Sequence, residues 1–298
     1  MAFPGSLPRA REKNDRLQEK IARRQTNSDR RCYRTRQHYK SRYRQRREVC
    51  AVTCKSAGVI DVSYNSKTVL KSKILVIDVG GSNVKLMISR AERRKFKSGW
   101  KLTPRSMVDQ IKPLVADWEF DVIALGFPSP VRNGKIASEP KHLGKGWVGF
   151  DIRKALGKPV RIINDAAMQA LGSYHGRRML FLGLGTGLGS ALVWDNHVLS
   201  LELGDLPYRN GSIIEDYLGE AGQARLGEKA WQRDVQHAVV QLKKSLIADY
   251  VVLGGGNAKE LNKIPKGVEL GHNRNAFLGG VRLWQIDLRT RQPKWQIL

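Results

Sequence analysis

Three glycine-rich turns each follow a short apolar run: Asp78-Val79-Gly80-Gly81-Ser82, Gly183-Leu184-Gly185-Thr186-Gly187-Leu188-Gly189 and Gly254-Gly255-Gly256-Asn257. Glycine lets backbone amides approach a phosphate closely, because no Cβ intervenes. One such turn alone is weak evidence, since tight turns use the same residues. A carboxylate stands at a different kind of junction. Asn164-Asp165 follows the apolar run Val160 to Ile163 and precedes a stretch, Ala166 to Leu171, with helical character. Either residue suits the helix N-cap. A carboxylate there is also placed for acid–base work, with the helix N-terminus favouring its charged form. Spacing alone leaves both readings of Asp165 open.

The elements around these turns decide which phosphate chemistry is on offer. A dinucleotide-binding fold needs strand, glycines, then a helix whose N-terminus faces the pyrophosphate. Here Gly185-Thr186-Gly187 is followed by Ser190 to Trp194, which reads as a strand. Gly80-Gly81 is followed by the alternating Val84 to Ile88, another returning strand. Both turns are hairpins, so the dinucleotide reading fails twice. Further strands are expected at Ile74–Ile77, Val122–Leu125, Val160–Ile163, Met179–Leu184 and Tyr250–Leu253. Helices are expected near Val108–Trp118, with Pro113 an irregularity, at Lys229–Leu246 and at Ala276–Trp284. Strands alternating with helices, and strand pairs among them, indicate an α/β body.

Composition sets the outer bounds. The 298 residues, 41% hydrophobic, suffice for a large domain or two lobes. No apolar run reaches the ~18 residues of a membrane span, and the first 50 residues hold no apolar signal core. The three cysteines, Cys32, Cys50 and Cys54, all precede the body, which fits a reducing cytoplasm and no disulfide framework. Cys50 and Cys54 stand four apart with Cys32 and His38 as further candidate zinc ligands, but a stray arrangement is the better reading, and the other histidines show no ligand spacing. The net charge is +26, of which +11 falls in residues 1–50, with 16 Lys/Arg against 5 Asp/Glu. The remaining +15 would attract polyanions, though from charge alone a generally basic, solvated surface is the plainer reading. Residues 1–72 read as a separate extension. Leu17 and Ile21 are the only large aliphatic side chains between Arg9 and Arg47, too few to offset the entropy of ordering. A disordered basic extension is expected there, with nucleic-acid contact through residues 1–50 as one use and a mis-assigned start near Val69 or Leu70 as another reading.

Residues 74–298 resemble the ROK family of sugar kinases, most closely its polyphosphate glucokinase-like branch. Asp78 to Lys85 resembles the first phosphate motif, with Ser82 where threonine is usual. Gly126 to Val131 and Gly146 to Asp151 resemble the loops lining the sugar cleft, and Asn164-Asp165-Ala166 the catalytic motif. Glu202-Leu203-Gly204-Asp205 resembles the sugar-binding Glu-x-Gly-His, with aspartate in place of histidine. Gly254 to Lys259 and Asn275 to Gly280 complete the match. The cysteine-rich zinc loop of many ROK proteins is absent.

The resemblance implies a two-lobed, actin-like (ribonuclease H-like) fold, with a small lobe at 73–167 and a large lobe at 168–298. Its last helix, about 276–288, would pack back toward the small lobe. It implies Asp165 as general base and Asn164, Glu202, Asp205 and Glu215 as readers of sugar hydroxyls. Gly80, Gly81, Ser82, Lys85, Gly185, Thr186, Gly187, Gly254, Gly255 and Gly256 would face the phosphoryl donor. Asp78 would hold Mg²⁺. The implied reaction is phosphorylation of glucose at its 6-hydroxyl, from ATP or polyphosphate, in a cytoplasmic homodimer without zinc. Mannose or an N-acetylated amino sugar is an alternative substrate. A sugar-sensing regulator is a different class, but residues 1–72 lack the helical periodicity of a winged helix.

Overall fold

In a computed structural model the described residues are 72–272 and 274–298, and all fall in one compact unit. The expectations for the basic extension, Ser72 apart, lie outside the described residues.

Two sheets carry the same pattern. In the first, β1 (Ile74–Val79), β2 (Asn83–Met87) and β3 (Arg93–Lys97) form an antiparallel meander. The strands β4 (Val122–Phe127) and β7 (Val160–Asn164) then add in parallel, for the order β3-β2-β1-β4-β7. A small hairpin, β5 (Val131–Arg132) and β6 (Lys135–Ile136), follows β4. In the second sheet β8 (Met179–Leu184), β9 (Leu188–Trp194) and β10 (His197–Leu201) repeat the meander. There β11 (Tyr250–Gly254) and β12 (Val268–Leu270) add in parallel, while β13 (Gln296–Ile297) closes the far edge. Both meanders therefore turn on glycine hairpins at the same place in their sheets.

The inner strands read as continuous apolar runs because both faces are covered. Every residue of β4 is buried, as are all of β1 after Ile74. The helix α1 (Pro104–Leu114) packs Met107, Val108 and Ile111 toward the first sheet. It begins four residues earlier than its apolar spacing predicts. Thr103 and Ser106 form a reciprocal cap there, and Pro104 occupies the first turn, where no N–H is needed. It also ends at Leu114, just after Pro113. The short α2 (Ile152–Leu156) precedes β7, and α3 (Asp165–Ser173) follows it directly. Beyond the second meander come α4 (Glu215–Leu218), α5 (Glu220–Leu226) and α6 (Glu228–Ser245), which buries Trp231, Val235, Val239 and Leu242.

The last helix, α7 (Asn275–Leu283), lies against α3, β1 and β4. Its crossing with α3 is so close that a Cβ on Gly172 would strike the Asn275 carbonyl, and one on Gly279 the Met168 carbonyl. It stops at Leu283 rather than running to 288. The Asp287 carboxylate accepts from the amides of Arg289 and Thr290, turning the chain so that Ile286 bridges Pro293. The edge strand β3 escapes sequence reading because three of its five residues are exposed and four are basic.

Candidate active site

A cleft of about 340 Å³ opens between the two glycine hairpins. The hairpins face each other: a Cβ added at Gly81 would lie 3.4 Å from His142 Cβ and 3.6 Å from Thr186 Oγ1. Gly80, Gly185, Gly187 and Gly255 line the same cleft. Gly254 ends β11 behind it, and Gly256 leads into the 3-10 turn Asn257–Glu260. Ser82 is exposed, and its carbonyl accepts from the Ser98 amide across the turn.

Asp165 sits at the N-terminus of α3, and the cap is made by its neighbour. Asn164 Oδ1 accepts from the Ala167 amide at 3.1 Å. The two sequence readings of Asp165 therefore separate. Asn164 satisfies the helix end, and Asp165 keeps one oxygen on the Ala166 amide at 2.8 Å and lines the cleft. Burial, above all, and then the neighbouring negative charge of Asp78 push its carboxyl up to about 7. The amide end of Asn164 has a single weak acceptor, the Ser129 carbonyl at 3.5 Å, so it retains a donor for a ligand.

Asp78 is buried, at 4% exposure, and Lys85 reaches it at 3.1 Å. Cross-strand register places Asp78, Lys85 and Lys95 in one row over β1, β2 and β3. Directly paired residues share a sheet face, so the row runs from the buried Asp78 to the sheet edge. Lys95, Lys97 and Arg93 are exposed there.

The opposite end of the cleft is acidic. Glu202, Asp205 and Glu215 all line it. Glu215 Oε2 accepts from the Leu188 amide at 3.0 Å, anchoring that carboxylate to the second glycine hairpin. A side chain at Gly187 would collide with it, which explains the glycine there. Burial and the charge of Asp205 raise the Glu202 carboxyl above its ordinary range. The short hairpin between Asp205 and Glu215 is pinned from outside. Asp234, buried at 7% exposure, accepts from Arg209 at 2.7 Å and from the Tyr208 hydroxyl at 3.3 Å.

Sequence reading passed over Lys141. Its ammonium lies 2.6 Å from Asp205 and 3.6 Å from Glu215. The signal available was position alone, between the two loops that resemble the sugar cleft.

Among the described residues no three His, Cys, Asp or Glu side chains converge as a ready metal site. Asp78 and Asp165 nonetheless fit Mg²⁺, which favours one or two carboxylate oxygens plus phosphate. Their mutual charge is what such an ion would relieve. No helix among the described residues is long and apolar enough to cross a membrane.

Residues 74–204 match the ROK family. A glucokinase of Pyrobaculum calidifontis is 27% identical over 152 residues, 49% of this chain and 47% of that protein. An N-acetyl-D-glucosamine kinase of Photobacterium profundum is 28% identical over 172 residues, 52% of this chain and 53% of that protein. The chain spans about half the length of these curated relatives. In structure, it resembles an inorganic polyphosphate/ATP-glucomannokinase from Arthrobacter sp. strain KM, with a TM-score of 0.62 and 23% identity. That match covers 70% of this chain and 97% of the other. The described residues thus share the α/β fold of that kinase.

Proposed function

We propose that the chain is a hexose kinase that transfers a phosphoryl group from polyphosphate or ATP to the 6-hydroxyl of glucose. The observation that carries this reading is Asp165, an uncapped-for carboxylate lining a cleft between two facing glycine hairpins and three sugar-side carboxylates. In the proposed reaction the sugar oxygen forms a bond to the terminal phosphorus as the bond to the leaving phosphate breaks. The hydroxyl proton passes to Asp165. Phosphoryl transfer through a loose transition state asks mainly for positioning and charge neutralisation, and the glycine hairpins bring backbone close to the donor. Asn164, Glu202, Asp205 and Glu215 hold the sugar so that its primary hydroxyl meets Asp165. Asp78, beside Asp165, would hold Mg²⁺, which supplies positive charge against the donor's phosphates.

Each sheet belongs to one lobe, 73–167 and 168–298, and closure of the lobes over the sugar would exclude water and limit donor hydrolysis. The Arthrobacter relative's use of polyphosphate supports that donor, as does the basic row Lys85–Lys95 with Lys97 and Arg93 beside it. A homodimer and a cytoplasmic location belong to the same proposal. The regulator reading is disfavoured by Asp165, which a sensor would not need.

The test is a coupled assay with glucose and Mg²⁺, run with ATP and with polyphosphate, on the full chain and on Asp165→Asn. Glucose 6-phosphate that disappears in the variant supports the reading. Product formed equally by both proteins refutes it, and strict ATP use removes the polyphosphate half.

A further inference from the structure

Among the described residues, the acidic end of the cleft is met by the Lys141 ammonium, and it comes from the opposite wall. Lys141 lies between Ile136 of the small β5–β6 hairpin and Leu143, both of which pack into the core of the first sheet, whereas Asp205 and Glu215 follow β10 of the second. The Lys141 ammonium therefore spans the cleft to reach its two partners, at 2.6 and 3.6 Å. Burial works against its charge, but the hydrogen bond to Asp205 and the fields of Glu215, Asp205 and Glu202 outweigh it, so its pKa stands above the ordinary lysine value. It is a full cation at any working pH.

This lysine is not carried on a loose surface loop. Just before it, the Glu139 carboxylate accepts from three successive amides, Gly146, Trp147 and Val148, at 3.0 to 3.1 Å. The Ser129 hydroxyl holds the Ser138 carbonyl. Just after it, Trp147 is wholly buried against Phe127 and donates to the Gly144 carbonyl at 2.6 Å. A segment clamped on both flanks presents Lys141 at a set position, which limits the ordering entropy that usually weakens a lysine contact. The pair itself is half exposed on both sides. Such pairs contribute little to stability, so a ligand competes with it readily.

We infer that Lys141 is a specificity-determining residue, which donates to the same sugar hydroxyls from which Asp205 and Glu215 accept. A hydroxyl both donates and accepts. Ammonium and carboxylate side by side therefore read one hydroxyl, or an adjacent pair, from both directions. A sugar that lacks a hydroxyl there, or turns it the other way, strips water from both half-exposed charges without replacing its hydrogen bonds, and that loss is penalised. The aspartate at position 205 and the lysine at 141 act as one reading unit. The inference rests on the sugar-kinase reading above.

The experiment compares the full chain with Lys141→Met, which keeps the apolar stem, and with Lys141→Arg. Sugar binding is followed by calorimetry and turnover by the coupled assay, with glucose, mannose, N-acetylglucosamine and N-acetylmannosamine. Lys141→Met should weaken binding of the preferred sugar about ten- to a hundredfold, the loss of a charge-assisted hydrogen bond. The effect should fall mainly on KM, and the preference among the four sugars should shrink. Lys141→Arg should restore part of that preference. A purely structural ion pair would lower Tm and leave the preference unchanged, and that result overturns the inference. So does a wild-type chain that binds none of the four sugars. Binding that depends on Lys141 without turnover would keep the inference while removing the kinase reading.

Discussion

Asp165→Asn tests the electrostatics of the cleft apart from its chemistry. The carboxyl rises from its ordinary 3.8 to about 7 in the folded chain. A carboxyl raised on folding adds its stability below the unfolded value, and loses it as pH climbs through the folded one. Three units at 1.36 kcal/mol each set a ceiling of about 4 kcal/mol above pH 7. At pH 5 only about 1.6 kcal/mol of that has been lost, and at pH 8 all of it. Water in the cleft reaches Asp165 and will reduce both figures, to roughly half. Asparagine does not titrate, and its oxygen can still accept from the Ala166 amide. The variant should therefore gain on wild type as pH rises, by about 1 to 2 kcal/mol between pH 5 and 8. That corresponds to a Tm gap widening by about 2–8 °C in a body of this size. The assay is thermal unfolding without divalent cations at pH 5, 6, 7 and 8. A gap that is constant or narrows with pH would refute the assignment of burial and Asp78 as the cause. In the same protein, wild-type kcat/KM should fall about tenfold per pH unit below about 7, since the base must be ionised.

Asp165→Asn should also lower kcat about 10²- to 10⁴-fold, measured with saturating sugar. Gly279→Ala should force α3 and α7 apart and lower stability by about 1–3 kcal/mol in denaturant titration; an unchanged midpoint would contradict the close crossing. Asp234→Asn removes the carboxylate charge that the half-exposed Arg209 pairs with and should destabilise by about 1 kcal/mol, with KM for sugar rising because the hairpin joining Asp205 to Glu215 is loosened. Lys95→Glu with Lys97→Glu should cut the ratio of polyphosphate to ATP use about tenfold, with a weaker salt dependence; an unchanged ratio would clear the edge of β3 of any part in donor choice.

Much of the site was legible because it is local. The hairpins at Gly80-Gly81 and Gly185 to Gly187 follow from glycine between apolar runs, and a strand feeding a helix marks Asn164-Asp165 within a few residues. Buried strands such as β4 announce themselves by composition, since both faces are apolar. Which of Asn164 and Asp165 caps the helix was not legible, because both types suit the position; a single amide, that of Ala167, decides it. The edge strand β3 was hidden by its own exposure, as pairing there depends on β2 rather than on burial.

What remains was settled by contacts between residues far apart in the chain. Glycine at 187 answers to Glu215, and glycine at 172 and 279 to each other's helices, none of which a local window contains. Lys141 meets Asp205 across 64 residues of sequence and across the cleft. Local residue types determined that this chain folds into strands, glycine turns and a helix bearing a carboxylate. Tertiary packing decided that burial and Asp78 raise that carboxylate, and that one cation faces three acids, because charge and desolvation depend on distance in space.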